Sequence, residues 1–519
     1  MKRTIELTRI AVDGDTVKYE IHDNTGLGLL RKEKVEAQIQ FHNADAFGFE
    51  PDKLPESVLA LPITLYLLPV TFFYHIELIL SSIDNTLYHN IPTLYAAYSQ
   101  MYGPFKEEWR GKIVAKEIVA NQMPDARYDR IVFFSGGVDA IHAGINNPGK
   151  RNVLVSVPSI EVHSRNEGAL RNEKFVMIKE FSRVIGSDWL LVANDFNQVV
   201  FDDEIGRNGK ITRYLRNTLQ LNTVAFNHSG FWGMRYIPNL CSVAPFAYAM
   251  GIKELIMGSS LIEDKLEPAL DGTNPLLTNG FKFVGISFAE QDGLYTRRSQ
   301  KVKNIVSTFK NQGKHVRIWA CFVDNSEQCG ECAKCVRTQL NILCTGENPK
   351  DWGFARFDEK KFSQLVRSYC WFENSIDDVW GIIDSIDDSR TYPYSNELLH
   401  WLKRVGYRQG RSLLESAKTA NMLSKPLIDF YAASAYAYAT IVINSPLHKA
   451  LDTLKGSHGH TYNHKDGTVE FGGKTPSGTF IDLLFSIYTA QVITGKDNFR
   501  YSLMPSLLFI QSHEIKISL

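Results

Sequence analysis

Apolar and polar positions alternate from the start of the chain. Thr4-Ile-Glu-Leu-Thr-Arg-Ile-Ala-Val12 and Thr16-Val-Lys-Tyr-Glu-Ile21 place apolar side chains largely on every second position, with Asp13-Gly14 between them. A period of two puts alternate side chains on opposite faces of a strand, and Asp-Gly suits a tight turn, so a hairpin is predicted. An apolar stretch from about Ile63 to Tyr102 reads as helical. From about residue 128 to 345 the pattern changes to short apolar runs alternating with amphipathic segments. The runs Ile131–Phe134, Val153–Val157, Leu190–Val192, Leu255–Met257 and Val316–Trp319 are candidate strands, and helices are expected near 168–185, 240–250 and 299–311. Such alternation predicts an α/β architecture, a parallel sheet covered on both faces.

The remainder, 346–519, reads as mainly helical, with Trp371, Trp380 and Trp401 as core aromatics. Gly456 to Gly478, rich in Gly, Ser and His, reads as a mobile loop, and His458, His460 and His464 within it fit no zinc spacing. Three regions are therefore expected: an α+β accessory region over 1–125, the α/β domain over 126–345, and the helical region over 346–519.

Charge and composition narrow the function classes. Basic and acidic residues balance at 57 each, so no global field draws in nucleic acid, and direct nucleic-acid binding is not expected. The longest uncharged apolar run, Ser57 to Ile76, contains Pro62 and Pro69 and sits at the lower edge of the ~20 residues a membrane helix needs. It reads as buried core, with no membrane role. Seven cysteines in 519 residues suit a reducing compartment, and Met1-Lys-Arg-Thr-Ile-Glu6 opens no signal segment, so a cytoplasmic location is expected.

Two motifs carry chemistry. Ile131-Val-Phe-Phe-Ser-Gly-Gly-Val-Asp139 reads as a buried strand turning through Ser135, Gly136, Gly137, Val138 and Asp139 into a helix. Adjacent glycines let backbone approach a ligand, and a helix start offers unpaired N–H groups that suit an anion. The plain alternative is a strand-to-helix turn. No Gly-Lys-Ser/Thr follows, so this is not a Walker loop. Farther along, Cys329-Gly-Glu-Cys332-Ala-Lys-Cys335 places three thiols at C-x2-C-x2-C spacing, and Cys321 precedes them. Four thiolates complete a tetrahedral zinc shell with no open position, so the site reads as structural, with an iron–sulfur centre as the alternative.

Together these motifs resemble the PP-loop ATP pyrophosphatases and, within them, 7-cyano-7-deazaguanine synthase. The first motif matches the family's Ser-Gly-Gly-x-Asp signature, and the second its cysteine knuckle. Between them, Arg235-Tyr-Ile-Pro-Asn239, Lys253-Glu-Leu-Ile-Met-Gly258, Glu263-Asp264 and Lys301 are similar to further landmarks of that family. The resemblance covers roughly 128–345. It implies a Rossmann-type core, adenine nucleotide alpha hydrolase-like, with a zinc knuckle. It implies ATP, Mg²⁺ and Zn²⁺ as ligands and the conversion of ATP to AMP and pyrophosphate.

The family activates a deazapurine carboxylate as an acyl-adenylate, which ammonia then opens to an amide; the synthase dehydrates this to a nitrile. On that template Ser135, Gly136 and Gly137 bind pyrophosphate, and Val138 continues the loop. Ser156 lies where adenine contacts fall. Asp139 holds Mg²⁺, fixes the loop, or is a helix-start carboxylate. Asp264 is a second magnesium ligand or a solvated acid, and Lys301 neutralises a phosphate or is a solvated helix lysine. Arg297 and Arg298 stand nearby with the same two readings.

The chain also departs from the family. Ala140 stands where a hydroxyl residue usually follows the motif aspartate, the arginine of the Pro-Asn segment is missing, and Arg337 stands two residues past Cys335 where the family has three. The chain is also more than twice the length of the free-standing enzyme. Long members occur beside other genes in bacterial antiphage defence operons, and some act on a protein partner. Three readings stand: an adenylating enzyme that modifies a protein acceptor, a biosynthetic nitrile-forming enzyme, and a non-catalytic scaffold. A homo-oligomer is compatible with each.

Overall fold

The computed structural model describes residues 3–30, 32–74, 76–102, 112–158, 167–196, 199, 236–260, 273–321 and 328–368, with residues 413, 416, 418 and 431 and three short strands beyond. The chain forms two compact units, Met1–Arg356 and Phe357–Leu519.

The first unit begins with strands β1 (Thr4–Asp13), β2 (Thr16–Asp23) and β3 (Lys34–His42). Helix α1 (Leu61–Tyr74), strand β4 (Glu77–Asp84), helix α2 (Asn85–Tyr102) and strand β5 (Lys112–Val119) follow. Next come β6 (Arg130–Phe133), α3 (Val138–Asn146), β7 (Asn152–Ser156), α4 (Glu167–Ile185) and β8 (Asp188–Asn194). The unit continues with α5 (Ala244–Ala249), β9 (Glu254–Ile256), β10 (Lys282–Phe283), β11 (Ile286–Phe288), α6 (Arg298–Lys310) and α7 (Ala333–Cys344).

All eleven strands form one mixed, mostly parallel sheet in the order β10-β11-β9-β6-β7-β8-β3-β2-β1-β4-β5. Residues 1–125 therefore share a sheet with 126–345. The hairpin forms as its alternation predicts, with Val12 opposite Val17 and Gly14 at φ 61° in the turn.

The segment β11-β9-β6-β7-β8 is parallel throughout. Numbered in chain order from β6, its strands run 3-2-1-4-5 across the sheet, so the winding reverses between β6 and β9. In open α/β sheets ligands bind beyond the carboxyl ends of the strands at such a reversal.

Strand alternation divides two cores. Ile131, Phe133, Val153, Val155, Leu190 and Val192 pack into a cluster with Leu65 of α1, Tyr98 of α2 and Phe246 of α5. Val132, Leu154 and Leu191, equally buried, alternate with them and face the other side. There Phe134 stacks on Phe181 of α4 at 4.8 Å, and Phe181 meets Phe309 of α6 edge-on at 6.2 Å. Burying a side chain of this size stabilises by about 1.5–3 kcal/mol, which fixes both helical layers to the sheet.

Several expectations are corrected. The stretch 63–102 is not one helix, because Glu77-Leu-Ile-Leu-Ser-Ser-Ile-Asp84 alternates and pairs with β1 on one side and β5 on the other. Val316–Trp319 forms no strand: its backbone bonds to loops, Ile318 N–H to the Trp352 carbonyl and Trp319 N–H to the Gly136 carbonyl. Part of the expected loop 456–478 is strand instead, β12 (His460–Asn463) and β13 (Thr468–Phe471), joined by β14 (Phe499–Tyr501) in an antiparallel sheet. The Asp466-Gly467 pair in the intervening sequence is the turn signal that reading missed. Trp371, Trp380, Trp401, His458 and His464 lie outside the described residues.

The apolar run near residue 60 is interior: Ile63, Leu65, Tyr66, Leu67 and Leu68 are at most 1 % exposed. Among the described residues, no helix is long and apolar enough to cross a membrane.

Candidate functional site

Strand β6 ends at the reversal of the sheet, and Ser135-Gly136-Gly137 leads from it into α3. Gly136 takes φ 82°, and its carbonyl accepts the Trp319 N–H at 2.7 Å, so the 316–321 segment braces the turn. A Cβ on Gly136 would meet Met177 Cε at 2.5 Å. The Ser135 hydroxyl oxygen lies 3.4 Å from the Gly137 N–H. Gly137 is the residue before α3 and has no side chain to cap it, which leaves first-turn N–H groups for another acceptor. Val138 is buried at 2 %, so it can offer the site only its backbone.

The end of β9 closes against this turn. A Cβ on Gly258 would lie 2.2 Å from the Asp139 carbonyl oxygen, a contact only glycine avoids.

Asp139 is the centre of a charged cluster. Lys301 Nζ, on α6, donates to Asp139 Oδ1 at 2.8 Å and also to the Ser259 carbonyl, while Arg298 reaches Asp139 Oδ2 at 3.3 Å. Lys301 is 1 % exposed, which corrects the solvated-lysine reading. Its stem packs over the 292–293 turn, because a Cβ on Gly293 would lie 2.8 Å from Lys301 Cε. A buried ammonium persists only with such partners. Burial pushes the Asp139 carboxyl up, but the Arg298 and Lys301 cations outweigh it, and Arg337 adds to them. The net effect holds Asp139 below the usual carboxylate range.

A second cluster adjoins the first and was not read from the sequence. His142, one turn past Asp139 on α3, places Nδ1 2.7 Å from Asp292 Oδ1, and its Nε2 lies 3.3 Å from Asn304 Nδ2 on α6. Asn146 donates to both Asp292 oxygens at 3.1 Å. Burial raises the Asp292 carboxyl, and the hydrogen bonds from His142 and Asn146 bring it below its ordinary value. The spacing offered half a signal: Asp139/His142 and Lys301/Asn304 are each three residues apart on a helix, the separation that puts side chains on one face.

Ser156 is the last residue of β7, beside β6, and is buried at 2 %. Arg297 precedes the first turn of α6. Asp264 lies outside the described residues.

The four cysteines converge. Cys321, Cys329, Cys332 and Cys335 bring their Sγ atoms within 4.8 Å of one another. Thiolates about 2.3 Å from a tetrahedral zinc lie about 3.8 Å apart, so small shifts complete the shell. Gly330, at φ 76°, turns the chain between the first two knuckle cysteines, and the Cys332 N–H donates to Cys329 Sγ at 3.3 Å. Contact with Cys321 and burial push the Cys332 thiol up to about 11. Four thiols this close therefore need a cation to ionise together, and the cluster can hold a metal such as zinc. Cys344 stands apart, its thiol donating to the Leu340 carbonyl.

The chain matches no protein-family model, no curated protein and no solved structure. The site's chemistry therefore rests on its own geometry.

Proposed function

We propose that this protein is an ATP-dependent adenylating enzyme of the PP-loop ATP pyrophosphatase kind. It binds the ATP phosphates at the Ser135–Gly137 turn and releases AMP and pyrophosphate. One observation carries this reading: a glycine-lined helix start lies at the strand-order reversal, with Lys301 and Arg298 gathered behind it on Asp139. Charge that builds on a leaving pyrophosphate needs donors already in place, and backbone N–H groups backed by cations meet that need. The acyl group is proposed to be a deazapurine-type carboxylate, transferred to an amine or a protein acceptor, as the resemblance to 7-cyano-7-deazaguanine synthase implies.

Magnesium fits the described residues poorly at Asp139, whose two oxygens already face Lys301 and Arg298. The ion is proposed to arrive on the nucleotide, with Asp139 serving to fix the loop. Zinc fits the four cysteines and is assigned a structural role there.

The test is product analysis with Mg-ATP and 7-carboxy-7-deazaguanine, with and without ammonium. AMP and pyrophosphate formed only with the deazapurine support the reading. A free nitrile among the products would favour a biosynthetic role, and AMP without free nitrile points to a protein acceptor. ADP as the product, or no turnover, would overturn the reading.

A further inference from the structure

We infer that His142 is the positioning residue of this site, and the inference rests on the reading above. Six residues form a closed ring. His142 contacts Asp292 at 2.7 Å. Asp292 in turn exchanges backbone bonds with the end of β9: its N–H donates to the Met257 carbonyl at 2.9 Å, and its carbonyl accepts the Ser259 N–H at 2.9 Å. The Ser259 carbonyl accepts Lys301 Nζ, and Lys301 holds Asp139, one turn before His142 on the same helix. Asn304, one turn past Lys301, closes the ring on His142 Nε2.

The Asp292 carboxylate fixes the proton on the ring. A carboxylate only accepts, so His142 Nδ1, 2.7 Å from Asp292 Oδ1, carries a proton and donates to it, while Nε2 faces the Asn304 amide at 3.3 Å. His142 is 5 % exposed, so it acts through its partners and not on substrate. Its function is to hold α3 at a fixed distance from α6 and from the 292 turn, which sets Lys301 against Asp139 below the glycine loop. Lys301 Nζ and His142 Nδ1 both lie 3.3 Å from the Cβ position of Gly293, so the turn packs against both. A side chain added there would displace them together.

The experiment uses the full-length, metal-loaded protein. Ring ¹⁵N spectra are expected to show His142 with Nδ1 protonated and hydrogen-bonded. For AMP formation from Mg-ATP and 7-carboxy-7-deazaguanine, His142→Ala is expected to lower kcat roughly tenfold or more, with a smaller change in the KM for ATP, since misplaced groups cost rate before they cost binding. His142→Asn, whose amide N–H replaces Nδ1–H, is expected to restore most of kcat, and His142→Gln, which replaces Nε2, is not. If all three variants keep wild-type kcat, or if Gln rescues and Asn does not, the inference is overturned. The Asn/Gln pair also decides the matter if the alanine variant fails to fold. Wild-type protein that forms no AMP removes the nucleotide reading instead; the ¹⁵N tautomer then decides whether the ring exists as described.

Discussion

The four cysteines come from one short stretch, Cys321 to Cys335, and converge because Gly330 turns the chain and α7 presents Cys335. The ring around Asp139 draws on α3, the end of β9, the turn after β11 and α6, and its central ion pair joins residues 162 apart in sequence. The first site needs one local turn and can hold a metal. The second needs the whole parallel sheet to be in register before any of its bonds can form. Local sites close early and depend on their ligand, whereas distant ones inherit the stability of the fold around them.

That contrast can be broken at either end. The largest expected effect is at the cysteines. Cys332→Ser, or stripping metal with a chelator, should cost on the order of 5 kcal/mol or more, because metal-binding energy is folding energy in such sites. Denaturant melts with parallel metal analysis would check this, with about one zinc per chain expected. An unchanged melt in metal-free protein would show that the thiols pack without an ion.

Next comes Asp139→Ala, which leaves the buried Lys301 ammonium without its carboxylate partner and should cost roughly 3–5 kcal/mol. Asp139→Ala with Lys301→Met should recover part of that loss, and equilibrium unfolding of the single and double variants measures the coupling. Additive losses would mean that the pair is not coupled.

These two sites differed in legibility for the same reason. The cysteine spacing is visible in any window of the chain, and so was the glycine turn after β6. Asp292 carries no local signature; it becomes visible only when β11 returns beside β9. The 316–319 run looks like a strand because it is apolar, yet its backbone is taken by Gly136, Trp352 and Gln328. Conversely β4 was hidden inside an apolar stretch whose two helices flank it directly, so composition masked a change of period from 3.6 to 2.

Smaller effects sharpen the contrast. Gly258→Ala should cost about 1–3 kcal/mol, because its new methyl meets fixed Asp139 backbone, and it should weaken nucleotide binding as well. Gly14→Ala is a control with φ 61° and open space around its Cβ position; it should cost about 1 kcal/mol with no effect on the site. Differential scanning calorimetry of the two variants separates strain from steric conflict.

The smallest effect concerns acid. Asp139 and Asp292 both have folded-state carboxyls below the ordinary range, so their stabilisation is complete above about pH 4 and is lost as pH falls through the folded values. Asp292→Asn should therefore flatten the fall in stability below about pH 4. Urea melts between pH 7 and pH 3 would check it, and an unaltered acid slope would discount the His142–Asp292 contact.

The most direct test of the glycine turn, backed by the charged ring, as a triphosphate site is calorimetric titration of Mg-ATP into the metal-loaded protein, repeated with pyrophosphate and with adenosine as competitors. Saturable binding that pyrophosphate displaces, and that Lys301→Met weakens at least roughly tenfold, is the expected result. No binding, or binding displaced by adenosine and indifferent to both pyrophosphate and Lys301→Met, would contradict it.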